Sequence, residues 1–361
     1  MAEKPVILVS GAAGYWGSRV AMRLMNEPVC QLIGLDTEHA AVEIKGFDFV
    51  RADIRNPLLV ELLRAERVDT VCHLAFVHSY QRSEAAFESN VMGTAKLLAA
   101  CAEAGVRRVV LRSSTTVYGA RPTNPAFLSE ESPLRGSRRY GYSRDFIEIE
   151  TFCNVFRRRV PQMELTVLRF ASIVGPGADT PMMRFLKQPW APSLMGFDPM
   201  MQVIHEEDVI EALAYAALND VPGVFNVAAE GVLPLSKIRG LVGKLPVAVL
   251  HPFAYWGVGL MGGIGLPVGR YLPIEPNYLR YPWVGDLTRM RQDLGFEPLH
   301  TAEEALGEIA RRARLAPYRS GSISETRAEE WLRDIIEQRR SVKDGQGLIL
   351  SGEEGGDQDG K

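Results

Sequence analysis

The chain opens on a continuous apolar run, Pro5-Val-Ile-Leu-Val9, that breaks into glycine and then into a helical pattern beginning near Tyr15. Short apolar runs recur at 29–35, 70–75, 108–113 and 164–170, with a briefer strand inside 47–54. Each has the length of a strand and turn residues close by. Between them, 57–66, 84–104 and 143–159 carry apolar residues at helical spacing. Pro57 suits a first helical turn and Gly105 a helix stop. Strands and helices alternating in this way predict right-handed crossovers and an α/β fold built on a doubly wound parallel sheet.

Beyond Gly175-Pro-Gly177 the pattern loosens. Residues 202–208 lead into a helix through Leu218, 225–228 form a short strand, 234–243 a short helix, and 301–314 a helix again. We therefore expect a first domain over 1–175, its sheet completed by later segments, and a smaller C-terminal substrate-binding subdomain over 176–320. Residues 342–361 are rich in Gly, Asp and Glu and are expected to be disordered, since they can bury too little apolar surface.

The first strand runs into Ser10-Gly-Ala-Ala-Gly-Tyr-Trp-Gly17. Strand, glycine turn and helix in that order form a Rossmann-type dinucleotide-binding junction. Gly11 can take the tight turn, Gly14 admits a pyrophosphate against the backbone, and Gly17 lets helix and strand pack closely. The first helical amides, at Tyr15 and Trp16, face the phosphates. Asp36 closes the next apolar run, nineteen residues after Gly17. A carboxylate there accepts ribose hydroxyls and repels a 2′-phosphate, so NAD is expected rather than NADP. Asp53, ending the third strand beside Ile54, can meet the adenine amino group.

Composition narrows the remaining classes. The 361 residues are 46% apolar and 24% charged, as in a soluble globular protein of one large or two ordinary domains. A net charge of −3 attracts no nucleic acid. Cys30, Cys72, Cys101 and Cys153 lie far apart without a Cys-x-x-Cys pair, and the N-terminus runs straight into a strand. Both point to a reducing, cytoplasmic setting. No His, Asp or Glu stands at metal-ligand spacing beside His73, so no metal is expected; His205 and Asp208 read as positioning a loop and the following helix. Residues 245–269 hold no Asp, Glu, Lys or Arg, but three prolines interrupt them. They read as a buried or lid-like segment, with peripheral membrane contact as the alternative.

An ordered series of motifs now resembles the extended short-chain dehydrogenase/reductase superfamily, in its NAD-dependent epimerase/dehydratase branch. It comprises Gly11-x-x-Gly14-x-x-Gly17, Asp36, Asp53-Ile54, His73-Leu74-Ala75, Asn90-Val-Met-Gly93-Thr94 and Ser113-Ser114-Thr-Thr-Val-Tyr118-Gly119. Leu168-Arg-Phe170, Gly175-Pro-Gly177, Val203-Ile-His205-x-x-Asp208, Asp286 and Leu294-Gly-Phe-x-Pro298 continue it. The resemblance spans roughly residues 5 to 310. It implies cofactor contacts from Leu74, Ala75 and Asn90, a homodimer, and a Ser/Thr-Tyr-Lys mechanism. In that mechanism a tyrosine exchanges the proton of a substrate hydroxyl, a serine binds the same oxygen, and a lysine one helical turn on acidifies the tyrosine. An unperturbed tyrosine, with a pKa of about 10, is otherwise a poor base.

Ser114 matches the serine. Two registers compete for the tyrosine. Tyr140-Gly-Tyr-Ser-Arg144 sets Arg144 in the lysine position, whereas Tyr142-Ser-Arg-Asp-Phe146 sets phenylalanine there. The distance to the strand at Arg169 favours Tyr142. In both registers the lysine is replaced, and a guanidinium is not equivalent to an ammonium. The resulting expectation is an NAD-dependent oxidoreductase or epimerase acting on a small molecule at a secondary alcohol or ketone. Two alternatives are a catalytically silent NAD-binding sensor or scaffold, and a membrane-peripheral reductase of a lipid or sterol.

Overall fold

Val6–Ser10 (β1) is buried along its whole length, as a strand covered on both faces must be, and this explains why it reads as a run of apolar residues rather than an alternation. The computed structural model describes residues 4–28, 30–38, 47–77, 79, 81–188, 190–250, 274–319 and 336. The chain divides into two units, Met1–Ile309 and Ala310–Lys361. The first contains all the chemistry discussed below.

After β1 come helix α1 (Tyr15–Met25), β2 (Gln31–Asp36), β3 (Asp48–Arg51), α2 (Leu59–Ala65) and β4 (Val68–His73). Next are α3 (Glu84–Phe87), a π-helical turn (Glu88–Met92), α4 (Gly93–Ala104), β5 (Arg108–Ser114), α5 (Gly141–Arg159) and β6 (Glu164–Phe170). The later half adds β7 (Ser172–Val174), α6 (Pro181–Lys187), β8 (Trp190–Leu194), β9 (Met200–Met201), β10 (Val203–His205) and α7 (Glu206–Leu218). It ends with β11 (Gly223–Val227), β12 (Leu233–Pro234), α8 (Leu235–Leu241), β13 (Leu245–Val249) and α9 (Ala302–Arg319).

Seven strands form one parallel sheet in the order β11-β6-β5-β4-β1-β2-β3. This is the expected doubly wound α/β arrangement. Its outermost strand beside β6 comes from the later half, with Phe225 opposite Leu168 and Val227 opposite Phe170. Three two-stranded pairings, β7 with β10, β9 with β12 and β8 with β13, complete the described fold; β7, β9, β10 and β12, at two or three residues, are too short to show a periodicity of their own.

Some expected boundaries move for identifiable reasons. The helix expected over 84–104 is broken by the π turn, where the buried Asn90 bridges both backbone groups of Val77. Helix α2 starts at Leu59 rather than at Pro57, because Asn56 first closes a turn in which its side chain accepts the Leu58 amide. Strand β4 stops at His73 rather than Ala75, since the Leu74–Ala75 backbone crosses beneath Gly11. Residues 251–269 of the uncharged stretch and the expected tail at 342–361 lie outside the described residues. Among the described residues no helix is long and apolar enough to cross a membrane.

The glycine turn joins β1 to α1 through backbone laid directly on backbone. A Cβ on Gly17 would lie 2.0 Å from the Gly11 carbonyl oxygen. By contrast, Gly105 ends α4 in the left-handed region, at φ 80°, and a Cβ there would meet nothing within 4 Å. Gly17→Ala is therefore expected to destabilise by roughly 3 kcal/mol or more, from overpacking. Gly105→Ala should cost only about 1 kcal/mol, from the left-handed backbone. Urea unfolding of both variants checks the order.

Candidate active site

The strand order reverses between β4 and β1, so the chain leaves these neighbouring strands toward opposite faces and opens a crevice at their C-terminal ends. The glycine turn stands at that point. Gly11 takes φ 74° and donates its amide to the Leu35 carbonyl at 2.8 Å. A Cβ on Gly11 would strike the Ala75 nitrogen at 2.6 Å, whereas one on Gly14 would approach only the Gly11 oxygen, at 3.2 Å. Gly14 is the N-cap of α1 and supplies no side-chain cap, which leaves the leading helical amides for an anion. Asp36 is bound to the same turn. Its Oδ2 accepts the Ala13 amide at 2.9 Å and its Oδ1 the Thr37 amide at 2.7 Å. A glycine cradle with an acidic group fixed at its rim fits an adenine dinucleotide.

The other expected cofactor residues have more varied roles. The Tyr15 hydroxyl donates to Glu206 at the start of α7, whose other oxygen accepts the Gly177 amide at 3.0 Å. Burial, then Glu206, raises the Tyr15 pKa above its ordinary value. Trp16 is buried, with the Arg112 guanidinium 5.3 Å from its ring. Asp53 is held by Arg55 at 2.7 Å, and that hydrogen bonding lowers its pKa. Ile54 is buried, and a Cβ on Gly93 would lie 3.0 Å from it. Leu74 and Ala75 form the floor under Gly11. The Asn90 amide is engaged with Val77 and with Asp145 at 2.9 Å, so it braces the loop after β4 against α5.

Ser114, at the end of β5, and Tyr142, in the first turn of α5, line one cavity together with Thr116, Phe146, Tyr278 and Trp283. Ser114 Oγ accepts from the Thr116 amide at 3.3 Å and lies 3.1 Å from the Thr116 hydroxyl. Phe146, one helical turn after Tyr142, faces the same space. Burial raises the Tyr142 pKa well above 10, and Tyr278 and then Glu275 add to the effect. Burial also pushes the Glu275 carboxyl up to about 7. Tyr140, the N-cap of α5, has its ring 6.3 Å from that of Tyr142 and is not among the described residues lining the cavity. Arg144 is likewise elsewhere. Its guanidinium reaches Asp145 at 3.0 Å, Glu84 at 3.3 Å and the Ser83 carbonyl at 3.0 Å, over the Phe87 ring.

Behind the cavity lies a buried polar chain. Glu150 accepts from Ser113 at 2.5 Å and from Arg169 at 2.6 Å; Arg169 donates to the Tyr118 hydroxyl at 2.7 Å, which donates to Asn226 at 2.7 Å. It fixes α5 against β5 and β6. Sequence reasoning missed Thr116, Tyr278 and Trp283 as cavity walls and Glu206 as the partner of Tyr15. Thr116, two residues from Ser114, was within reach of a local motif; the others arrive from segments with no motif of their own.

A seven-stranded parallel sheet with a glycine turn at its reversal is the fold of the extended short-chain dehydrogenase/reductase class. The chain belongs to the NAD-dependent epimerase/dehydratase family, which it matches over residues 7–228. NAD is the cofactor that defines this family. An uncharacterized protein of Mycobacterium tuberculosis is 36% identical over 90% of this chain and 88% of its own length. A UDP-glucose 4-epimerase of Mycolicibacterium smegmatis is 33% identical over 48% of this chain and 57% of its own. Among solved structures, the dTDP-glucose 4,6-dehydratase of Bacillus anthracis in complex with NAD superposes with a TM-score of 0.64 at 18% identity, covering 87% of this chain and 98% of that one.

Beneath the glycine turn, His73 accepts or donates at both ring nitrogens, to Ser10 at 2.7 Å and Thr94 at 2.9 Å. Burial pushes its pKa down to about 3, against 6.5 when unfolded. The unfolded chain therefore takes up this proton first. The His73 contribution to stability is complete above pH 6.5 and drains away as the pH falls toward 3. Urea midpoints measured across that range should show a loss that His73→Gln diminishes.

Proposed function

We propose that this protein is an NAD-dependent oxidoreductase of the epimerase/dehydratase type acting on a small molecule at a secondary alcohol or ketone, with Ser114 and Tyr142 gripping the substrate oxygen. The observation that carries this reading is the presence of both side chains in the wall of one cavity. In this reading the leading amides of α1, at Tyr15 and Trp16, hold the pyrophosphate, Asp36 the adenosine ribose, and the 53–54 and 74–75 segments border the rest. When bound, NAD supplies acceptance and return of a hydride at the carbon bearing the substrate oxygen. From the later half, Thr180, Met182, Ile274, Tyr278 and Trp283 line the same cavity and would face the substrate.

Tyr142 has Phe146 one turn on, where the superfamily pattern has lysine, and Arg144 is engaged with Asp145 and Glu84. With its pKa raised by burial, Tyr142 keeps its proton at neutral pH. It is then a hydrogen-bond donor and a general acid toward a carbonyl oxygen, and a slow base toward an alcohol. Ser114 holds that oxygen in line while the proton moves. The epimerase named among the relatives supports a sugar nucleotide as the first substrate class to screen.

In a screen of sugar nucleotides and simpler keto compounds with the NAD couple, Tyr142→Phe and Ser114→Ala should each lower kcat/KM by roughly 10²-fold or more. Phe146→Lys should do the opposite for alcohol oxidation: the ammonium lowers the tyrosine pKa and moves the pH–rate profile down by about one unit or more. An unmoved profile in a folded Phe146→Lys variant would remove Tyr142 from the proton-carrying role. Tight NAD retention without turnover, even in that variant, would favour a binding-only protein.

A further inference from the structure

A serine hydroxyl has one proton and two lone pairs to place in three directions about its oxygen. At Ser114 two of those directions are taken. The Thr116 amide donates to Oγ at 3.3 Å, and the Thr116 hydroxyl donates to the same atom at 3.1 Å. Both lone pairs therefore face donors, and the proton is left the third direction. Ser114 is half-buried, lines the cavity with Tyr142, and makes no further side-chain hydrogen bond among the described residues.

Thr116 is itself pinned. Its carbonyl accepts the Tyr278 hydroxyl at 3.0 Å and the Gly119 amide at 3.1 Å. It lies within the short turn Thr115–Val117 that Ser114 caps. Tyr278 belongs to the turn Pro276–Leu279, is buried, and has its ring 4.4 Å from that of Trp283. Burial, then Glu275, raises the Tyr278 pKa above its ordinary value, so its hydroxyl keeps its proton and goes on donating. A segment of the later half thus fixes Thr116, and Thr116 fixes the rotation of the Ser114 hydroxyl.

A carbonyl oxygen accepts and never donates, so it meets the Ser114 proton without conflict. The Tyr142 hydroxyl, kept protonated by burial, is a second donor on the same cavity. An alcohol brings a proton of its own and finds no lone pair at Ser114 to receive it; a donor set against a donor forfeits the bond. On the reading that Ser114 grips the substrate oxygen, we infer that Thr116 is a positioning residue that makes Ser114 a donor only, and that the site thereby selects a ketone over the corresponding secondary alcohol. The two bonds that Ser114 receives also polarise its hydroxyl and strengthen the one it gives.

The test measures two complexes that cannot turn over: acetophenone with protein saturated in NAD, and 1-phenylethanol with protein saturated in NADH, each titrated by calorimetry. The parent should bind the ketone about tenfold tighter than the alcohol. Thr116→Val keeps the shape of the side chain and removes its hydroxyl. It should narrow the preference by roughly three- to tenfold, through the ketone complex, and Thr116→Ser should restore it. A side chain that merely shaped the cavity would move both complexes together. With ¹³C-labelled acetophenone, the carbonyl stretch of the bound ketone should lie lower in the parent and in Thr116→Ser than in Thr116→Val. Absence of saturable ketone binding, equal binding of ketone and alcohol by the parent, or an unchanged preference in folded Thr116→Val overturns the inference. Ketone binding untouched by Ser114→Ala is a different failure: it removes Ser114 from the substrate oxygen and takes the proposed function with it.

Discussion

The structure rests on a place where three backbone segments touch with no side chain between them. Gly17 at the start of α1 lies against the Gly11 carbonyl, and Gly11 lies against Leu74 and Ala75 as they leave β4. Packing that close is open only to residues without a Cβ, and Gly11 must also hold a positive φ. The same stacking sets the height of the helix above the sheet, and so the direction in which its unsatisfied amides point. Asp36, bonded to the Ala13 amide, inherits its place from this turn. This side of the crevice is therefore defined by backbone geometry, with the Asp36 carboxylate fastened to it from β2.

The cavity lined by Ser114 and Tyr142 is held differently. Ser114 ends a strand and Tyr142 begins a helix, so their common cavity depends on how α5 lies across β5 and β6. A buried ionic pair, Glu150 with Arg169, both 3% exposed, governs that placement. Such a pair adds less net stability than its Coulomb attraction suggests, because both charges are desolvated. What it contributes is directional. The carboxylate also takes the Ser113 hydroxyl, next to Ser114, and the guanidinium also takes Tyr118. One side of the site is set by close packing, the other by polar bonds in a dry interior.

The central strands were legible because each is buried on both faces and so carries a short apolar run, and the glycine turn because its spacing has a steric cause. The seventh strand was visible only as Phe225-Asn-Val-Ala; its pairing with Thr166 to Phe170 is a long-range fact that no local pattern carries. The break in the helix at Glu88–Met92 escaped notice because a π turn leaves the apolar content of a helix unchanged. Ser114 and Tyr142, named by motif, line one cavity, but the orientation of Arg144 was not legible. A helix start offers that arginine two faces, and the partners that decide, Glu84 and Asp145, compete on equal terms in a linear reading.

Helix α1 is fastened to α7 at two points, by Tyr15 to Glu206 and by Arg23 to Glu211 at 2.7 Å. The partners are separated by 191 and 188 residues. A nascent chain emerging from the ribosome has made its glycine turn long before either glutamate exists. Until synthesis passes them, the outer flank of α1 has no counterpart and the sheet lacks its terminal strand. The nucleotide-facing half thus completes these contacts, and its sheet, only once the half that follows has been made.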